Sequence, residues 1–230
     1  METVLRFLSG AAWAYAYWRI VTVSRTDRSY GMPLFAAALN MSWELIYFSG
    51  GVVYWSRYDV GTQLQTVING VWLLLDVGII VCVLRYGNRE FQQLSPIRFS
   101  LLVAGAFSLA LTLQVVILLQ FEPEWAARFS AFLQNVYMSA AFVAMAIARK
   151  GLRAQRIDIG VARLAGTLAP TISAGLIGQV RVTILVLGLC CVVLDSIYLF
   201  VLRTLRTPHD QKVGRVGEGQ VTLRVLEDQT

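Results

Sequence analysis

Histidine is almost missing from this chain: the only one, His209, lies in the polar C-terminal stretch. That excludes a histidine-ligated metal centre or a histidine-based triad in the apolar body. Lysine is nearly as scarce. Lys150 and Lys212 both fall outside the apolar runs, so no Schiff-base lysine stands in the last of them. The three cysteines, Cys82, Cys190 and Cys191, sit inside apolar runs with no C-x-x-C spacing, and they read as small packing residues. There is no Walker or dinucleotide-binding glycine motif. Nor is there a D-D-x-x-D cluster to hold metal ions against a diphosphate, or an arginine clamp deep in a run. Charged residues make up 15% of the chain, where a soluble domain carries about 25%.

What fills the chain instead is apolar: 57% of the 230 residues are hydrophobic and the mean hydropathy is +0.60. Seven apolar runs emerge, at about 4–23, 33–55, 66–86, 99–121, 125–148, 161–180 and 182–203. About 20 predominantly apolar residues cross a bilayer as a helix. The expected fold is therefore all-α, a polytopic seven-transmembrane-helix bundle over residues 1–206, followed by a flexible polar tail over 207–230. The first run carries Arg6, Trp13, Tyr15, Tyr17, Trp18 and Arg19 and lacks the short clean core of a cleavable signal, so it reads as the first helix. Pro170 predicts a kink in the sixth run, which Gly166, Gly175 and Gly178 also interrupt.

The net charge of +6 comes from basic residues placed in the connections, which points to topology and not to nucleic acid. Most of the 20 fall around the first, third and fifth connections and after the last run; Arg163 is counted with the fifth, alongside Arg149, Lys150, Arg153 and Arg156. The positive-inside rule then places the N-terminus outside and the C-terminus in the cytoplasm. Arginine in preference to lysine hints at a GC-rich genome and a bacterial cell membrane.

Three acids lie well inside apolar runs: Glu44, Asp76 and Asp195. An ionised carboxylate at bilayer depth costs several kcal/mol, so an intramembrane acid marks a functional site by default. Helical spacing puts Asn40, Glu44, Tyr47 and Gly51 on one face, Asn69, Trp72 and Asp76 on a second, and Cys191, Asp195, Tyr198 and Leu202 on a third. Gln114, Gln134 and Asn135 add amides at comparable depth. No basic residue is expected deep enough to pair with the acids, so they should favour the neutral form, as a proton donor in a dry cavity requires. Trp13, Tyr17, Tyr47, Trp72, Tyr137 and Tyr198 share the polar faces, where aromatic rings stabilise cations. Tyr54, Trp55, Tyr58 and Trp125, near run ends, fit an interfacial belt.

The stretch Asn40-x-x-Trp43-Glu44-x-x-Tyr47, with Asp195-x-x-Tyr198 and Trp72-x-x-x-Asp76, resembles the integral-membrane terpene cyclases. These serve fungal meroterpenoid and indole-diterpene pathways, with actinobacterial relatives that make indole sesquiterpenes of the drimentine type. The resemblance spans about residues 4–203. It implies cyclisation of a prenyl chain without metal or cofactor, in which a carboxylic acid protonates an alkene or epoxide and double bonds attack the resulting cation. By the same match the catalytic Glu and Asp of the family fall on Glu44 and Asp195, with Asn40, Trp43, Tyr47 and Tyr198 as positional supports. Asp76 is added on burial alone. The implied partners are an apolar prenylated small molecule and membrane lipid.

Two other classes use the same acids. A small proton-coupled transporter would run them as a relay at the midplane, but the two halves show no evident repeat and no paired broken helices. A non-catalytic membrane subunit would use the polar faces for assembly, and would tolerate Glu44→Gln.

Overall fold

A computed structural model describes residues 2–177 and 181–205 of the chain. Gly178, Gln179 and the polar stretch 207–230 expected as a tail lie outside the described residues. Within them, regular structure is entirely helical: α1 (Glu2–Asp27), α2 (Leu34–Val53), α3 (Val60–Tyr86), α4 (Pro96–Gln120), α5 (Pro123–Arg149), α6 (Ile157–Gly175) and α7 (Val182–Thr204), with short 3-10 turns at Trp55–Arg57 and Gly87–Arg89.

Each helix corresponds to one apolar run, and the boundaries that differ do so where polar residues make good helix starts. α3 begins six residues before its run because Asp59 caps it, accepting the Thr62 backbone N–H at 2.7 Å. That hydrogen bond holds the Asp59 carboxyl below its ordinary pKa. α4 starts at Pro96, whose missing N–H costs nothing in the first turn, behind the cap of Ser95. α6 begins at Ile157, with Asp158 in its first turn, where the helix dipole favours a negative charge.

Four helices are long and apolar enough to cross a membrane by length and composition: α3 with its following turn, α4, α5 and α7. Leu74, Leu101, Leu119, Leu189 and Phe200 are largely exposed on them, an apolar surface suited to lipid. α1, α2 and α6 are not among the four, and they carry Tyr17, Asn40, Glu44 and Arg163, all buried.

Packing partners arrange six helices in a ring. α1 contacts α3 and α6, α2 contacts α3 and α5, and α7 contacts α5 and α6; α4 lies outside the ring against α2 and α5. The largest apolar cluster fills part of the ring with Trp13, Tyr17, Ile20, Met138, Phe142 and Tyr198, drawn from α1, α5 and α7.

The α1–α6 seam shows how the chain accommodates a proline in a buried helix. α6 remains helical through Pro170. Proline has no N–H, so the carbonyl four residues earlier, on Gly166, loses its intrahelical donor. Ser9 of α1 supplies the replacement, its hydroxyl donating to that carbonyl at 2.7 Å in a buried position. Gly166 also has no room for a side chain: a Cβ there would stand 2.6 Å from the Trp13 ring. The two helices approach closely because one of them is bare at this point.

The end of the bundle that carries the α1–α2, α3–α4 and α5–α6 connections is tied by ion pairs. Glu90 accepts from Arg149 at 2.8 and 3.1 Å and from the Ser29 hydroxyl. Asp27 accepts from Arg156 at 3.0 Å and from the Ala154 backbone N–H at 2.6 Å, which holds Ala154 in its left-handed backbone conformation (φ 52°).

Candidate active site

The ring interior gathers polar side chains from all six of its helices and from α4. At its centre is Asn40 on α2. Its Nδ2 donates to Asp76 Oδ2 on α3 at 2.7 Å, and its Oδ1 accepts from the Tyr17 hydroxyl on α1 at 2.9 Å and from Gln134 Nε2 on α5 at 3.4 Å. Gln134 in turn accepts from Gln114 of α4 at 2.8 Å. Donors and acceptors around the Asn40 amide are consistent with only one orientation of it. Side chains of three other helices therefore bond to a single side chain of α2.

Glu44 lies one helical turn beyond Asn40, only 1% exposed, within electrostatic reach of Asp76. Its Oε2 and Oδ1 of Asp76 have no hydrogen-bond partner among the described residues. By helix rise, Glu44 and Asp76 both stand ~15 Å inside the end of the bundle where α2 begins and α3 finishes. Two carboxyls thus lie at one depth in the buried interior, within electrostatic reach of one another.

Asp195 is placed differently from the sequence-based expectation. It is not a lone acid: Arg163 of α6, with no exposed surface, donates to its Oδ1 from Nη2 at 2.8 Å and from the same nitrogen to Ser139 of α5 at 3.0 Å. The guanidinium is stacked over Phe142, 3.9 Å from the ring centroid, and lies 5.6 Å from that of Tyr198. The expectation that no basic residue lies deep in a helix is therefore wrong. A run beginning at 161 puts Arg163 beside the connection; with the helix starting at Ile157, Arg163 falls six residues inside it. The acidic first turn at Asp158 was the signal that could have moved the boundary. A carboxylate paired with a guanidinium keeps its charge at a tolerable cost only because both partners are bonded.

The supporting residues divide into those that face the cluster and those that do not. Trp13 (5% exposed) packs edge-on against Tyr17 at 5.4 Å, and Trp72 meets Tyr17 at 6.3 Å while donating to the Gly10 carbonyl at 3.1 Å. Trp43 anchors α2 to α5 through Ser130 Oγ at 3.0 Å and the Ala127 carbonyl at 3.1 Å. Tyr47 lies against Trp43, with ring centroids 4.7 Å apart. Tyr198 is fully buried against Phe142, its hydroxyl without a partner among the described residues. Tyr137 is the exception. It is 42% exposed and packs edge-on to Phe35 of α2 at 5.4 Å. Its expected place on the polar face is not observed. Sequence reasoning also passed over Ser139 and Phe142, which are ordinary helix residues until Arg163 is placed beside them.

The two halves of the cluster meet at Tyr17, whose hydroxyl lies within electrostatic reach of Asp76, Glu44 and Arg163. A surface recess of about 540 Å³ between α1 and α6, lined by Tyr15, Arg156, Asp158 and Val161, lies apart from this cluster. Its charged groups are already paired, Asp158 with Arg19 and Arg156 with Asp27.

The model of the Pyr4-like transmembrane terpene cyclases matches residues 1–207. Among curated proteins, terpene cyclase ascF of Acremonium egyptiacum is 34% identical over 92 residues, 40% of this chain and 30% of the relative. Terpene cyclase dpmaB of Metarhizium anisopliae is 25% identical over 71% of this chain and 65% of its own. Terpene cyclase pyr4 of Aspergillus fumigatus is 24% identical over 69% and 64%. The chain thus spans under two thirds of the length of each of these relatives. All three are fungal and lend no support to a bacterial cell membrane. No solved structure matches.

Proposed function

We propose that this chain, which belongs to the Pyr4-like transmembrane terpene cyclases, cyclises the prenyl chain of an aromatic or indole-linked terpenoid inside its helix ring by protonating an alkene or epoxide. The observation that carries the reading is the pair Glu44 and Asp76: two buried carboxyls within electrostatic reach of one another, each with an unpartnered oxygen and no bonded cation among the described residues. Burial without a cation favours the neutral acid, and two such groups sharing a site divide one proton more readily than they ionise together.

Glu44 is the donor. Its carboxyl O–H passes a proton to the substrate carbon or epoxide oxygen, leaving Glu44 as carboxylate and the positive charge on the prenyl chain. Asp76, oriented by Asn40 Nδ2, returns the proton to Glu44 between turnovers. The cation migrates along the chain as successive double bonds attack, past the faces of Trp13, Tyr17 and Trp72, which stabilise it without trapping it. Asp195 is bonded to Arg163, and its unbonded Oδ2 lowers the energy of a cation forming nearby and takes the final proton, which is passed back to Asp76 so that every acid ends the turnover as it began. No metal takes part, because protonation and not diphosphate loss generates the cation. A dry interior keeps water from quenching it. The seven helices all span the membrane, with the N-terminus outside and the C-terminus cytoplasmic.

The test uses membranes from a host expressing wild type, Glu44→Gln or Asp195→Asn, supplied with a farnesylated arene and its terminal epoxide. Wild type yields a chromatographically new isomer of unchanged mass. Glu44→Gln lowers its rate by about 10²–10⁴-fold, the usual share of a general acid, at equal expression. If Glu44→Gln makes the isomer as fast as wild type, Glu44 is not the donor and the acid pair is structural.

A further inference from the structure

Arg163 is the largest side chain with no exposed surface, and its guanidinium is only partly used. Nη2 makes both of its hydrogen bonds, to Asp195 and Ser139. Nε and Nη1, which carry three of the five N–H groups, have no partner among the described residues. Asp195 Oδ2 and the Tyr198 hydroxyl are in the same condition beside it. Were Arg163 present only to neutralise Asp195, the paired two-nitrogen geometry natural to an arginine and a carboxylate would serve better than this single-nitrogen contact. The stacking on Phe142 fixes the plane of the guanidinium, so its unused edge points in a set direction. Buried polar groups left open in a native fold call for a partner that comes and goes.

We propose that Arg163 anchors the head group of the substrate, donating from Nε and Nη1 to a carbonyl or phenol oxygen on its ring. The proposal rests on the cyclase reading and adds to it a residue that selects the substrate. With the head at Arg163, the prenyl chain runs past Tyr17 toward Glu44 and Asp76, since Tyr17 lies within reach of both groups. A guanidinium has no acceptor, so a head that offers only an N–H, such as an unsubstituted indole, gains nothing at this position.

The test measures binding and turnover separately, on the full chain in lipid nanodiscs. The probes are a farnesylated hydroxyacetophenone and its isostere in which methyl and isopropyl groups replace the hydroxyl and acetyl functions. Quenching of tryptophan fluorescence reports binding. Wild type should bind the oxygenated probe at least tenfold tighter than the isostere, since a site built to donate rejects a ligand without the acceptor. Arg163→Gln alone leaves Asp195 buried without its cation and is at risk of misfolding. The double variant Arg163→Gln/Asp195→Asn removes both charges together; with unchanged circular dichroism, it should bind the two probes alike. Equal or undetectable binding of the probes by wild type, or a preference that survives in the folded double variant, overturns the proposal. Turnover without the preference leaves a cyclase whose head group sits elsewhere. The preference without turnover keeps the anchor and removes the cyclase reading.

Discussion

Asn40 shows how much one side chain carries when it is the only group that can satisfy its neighbours. It offers two acceptor lone pairs and two donors, and three of those positions are filled by Tyr17, Gln134 and Asp76. A leucine of similar size would leave the Tyr17 hydroxyl and Asp76 Oδ2 buried and unbonded. Each such group costs about 1–3 kcal/mol. Asn40→Leu should therefore lose about 2–4 kcal/mol of stability, read as a lower unfolding temperature in detergent, and should lose most of its turnover even below that temperature. Unchanged stability would mean that water replaces the amide and that the network is wetter than described. At this scale the sequence was informative about which residues are polar and buried. It was silent on pairing: Asn40 and Asp76 are 36 residues apart, and Arg163 and Asp195 are 32.

Helix by helix, the apolar runs and the helices agree in number and order, because a stretch of about 20 apolar residues has few other ways to satisfy its backbone in lipid. Ends were harder, since capping by Asp59 and the acidic start of α6 extend helices into polar sequence. Counting Arg163 with a connection follows directly from one such end, a helix start at 161 in place of Ile157. Pro170 offers a test of how α1 and α6 are joined. Ser9→Ala removes the donor to the Gly166 carbonyl and should cost about 1–3 kcal/mol, the penalty of an unsatisfied buried acceptor. Pro170→Ala restores the N–H within the helix, and in that background Ser9→Ala should cost little. A double-mutant cycle in detergent unfolding reads the coupling. Additive effects would show that Ser9 and Pro170 act independently and that some other group satisfies the carbonyl.

For the whole molecule, the closed ring decides what the acids can do. α4, the helix least buried, lies outside it and reaches the interior only through Gln114, while α1, α2 and α6, which are not among the four apolar spans, bring in polar groups. The proposed topology predicts opposite exposure of the two ends. In a background with Cys82, Cys190 and Cys191 replaced by alanine, Tyr58→Cys should react with a membrane-impermeant maleimide in intact cells. Arg153→Cys should react only after permeabilisation. Reaction of both in intact cells would require one of α3, α4 and α5 not to cross the membrane, and the count of seven spans would fall.

Composition and hydropathy by themselves determined that this is a helical membrane protein with seven apolar segments and that three acids lie inside them; only the resemblance of its motifs put the expected catalytic acids at Glu44 and Asp195. Those properties are additive along the chain: each depends on residues within a turn or two of one another. The tertiary structure alone decided that Asp195 is tied to Arg163 while Glu44 and Asp76 have no bonded cation among the described residues, and that Tyr137 faces outward. Three carboxyls of the same chemistry were separated into one paired anion and two open acids by which helices the ring sets side by side. That order depends on contacts between segments far apart in the chain, and hydropathy carries no record of it.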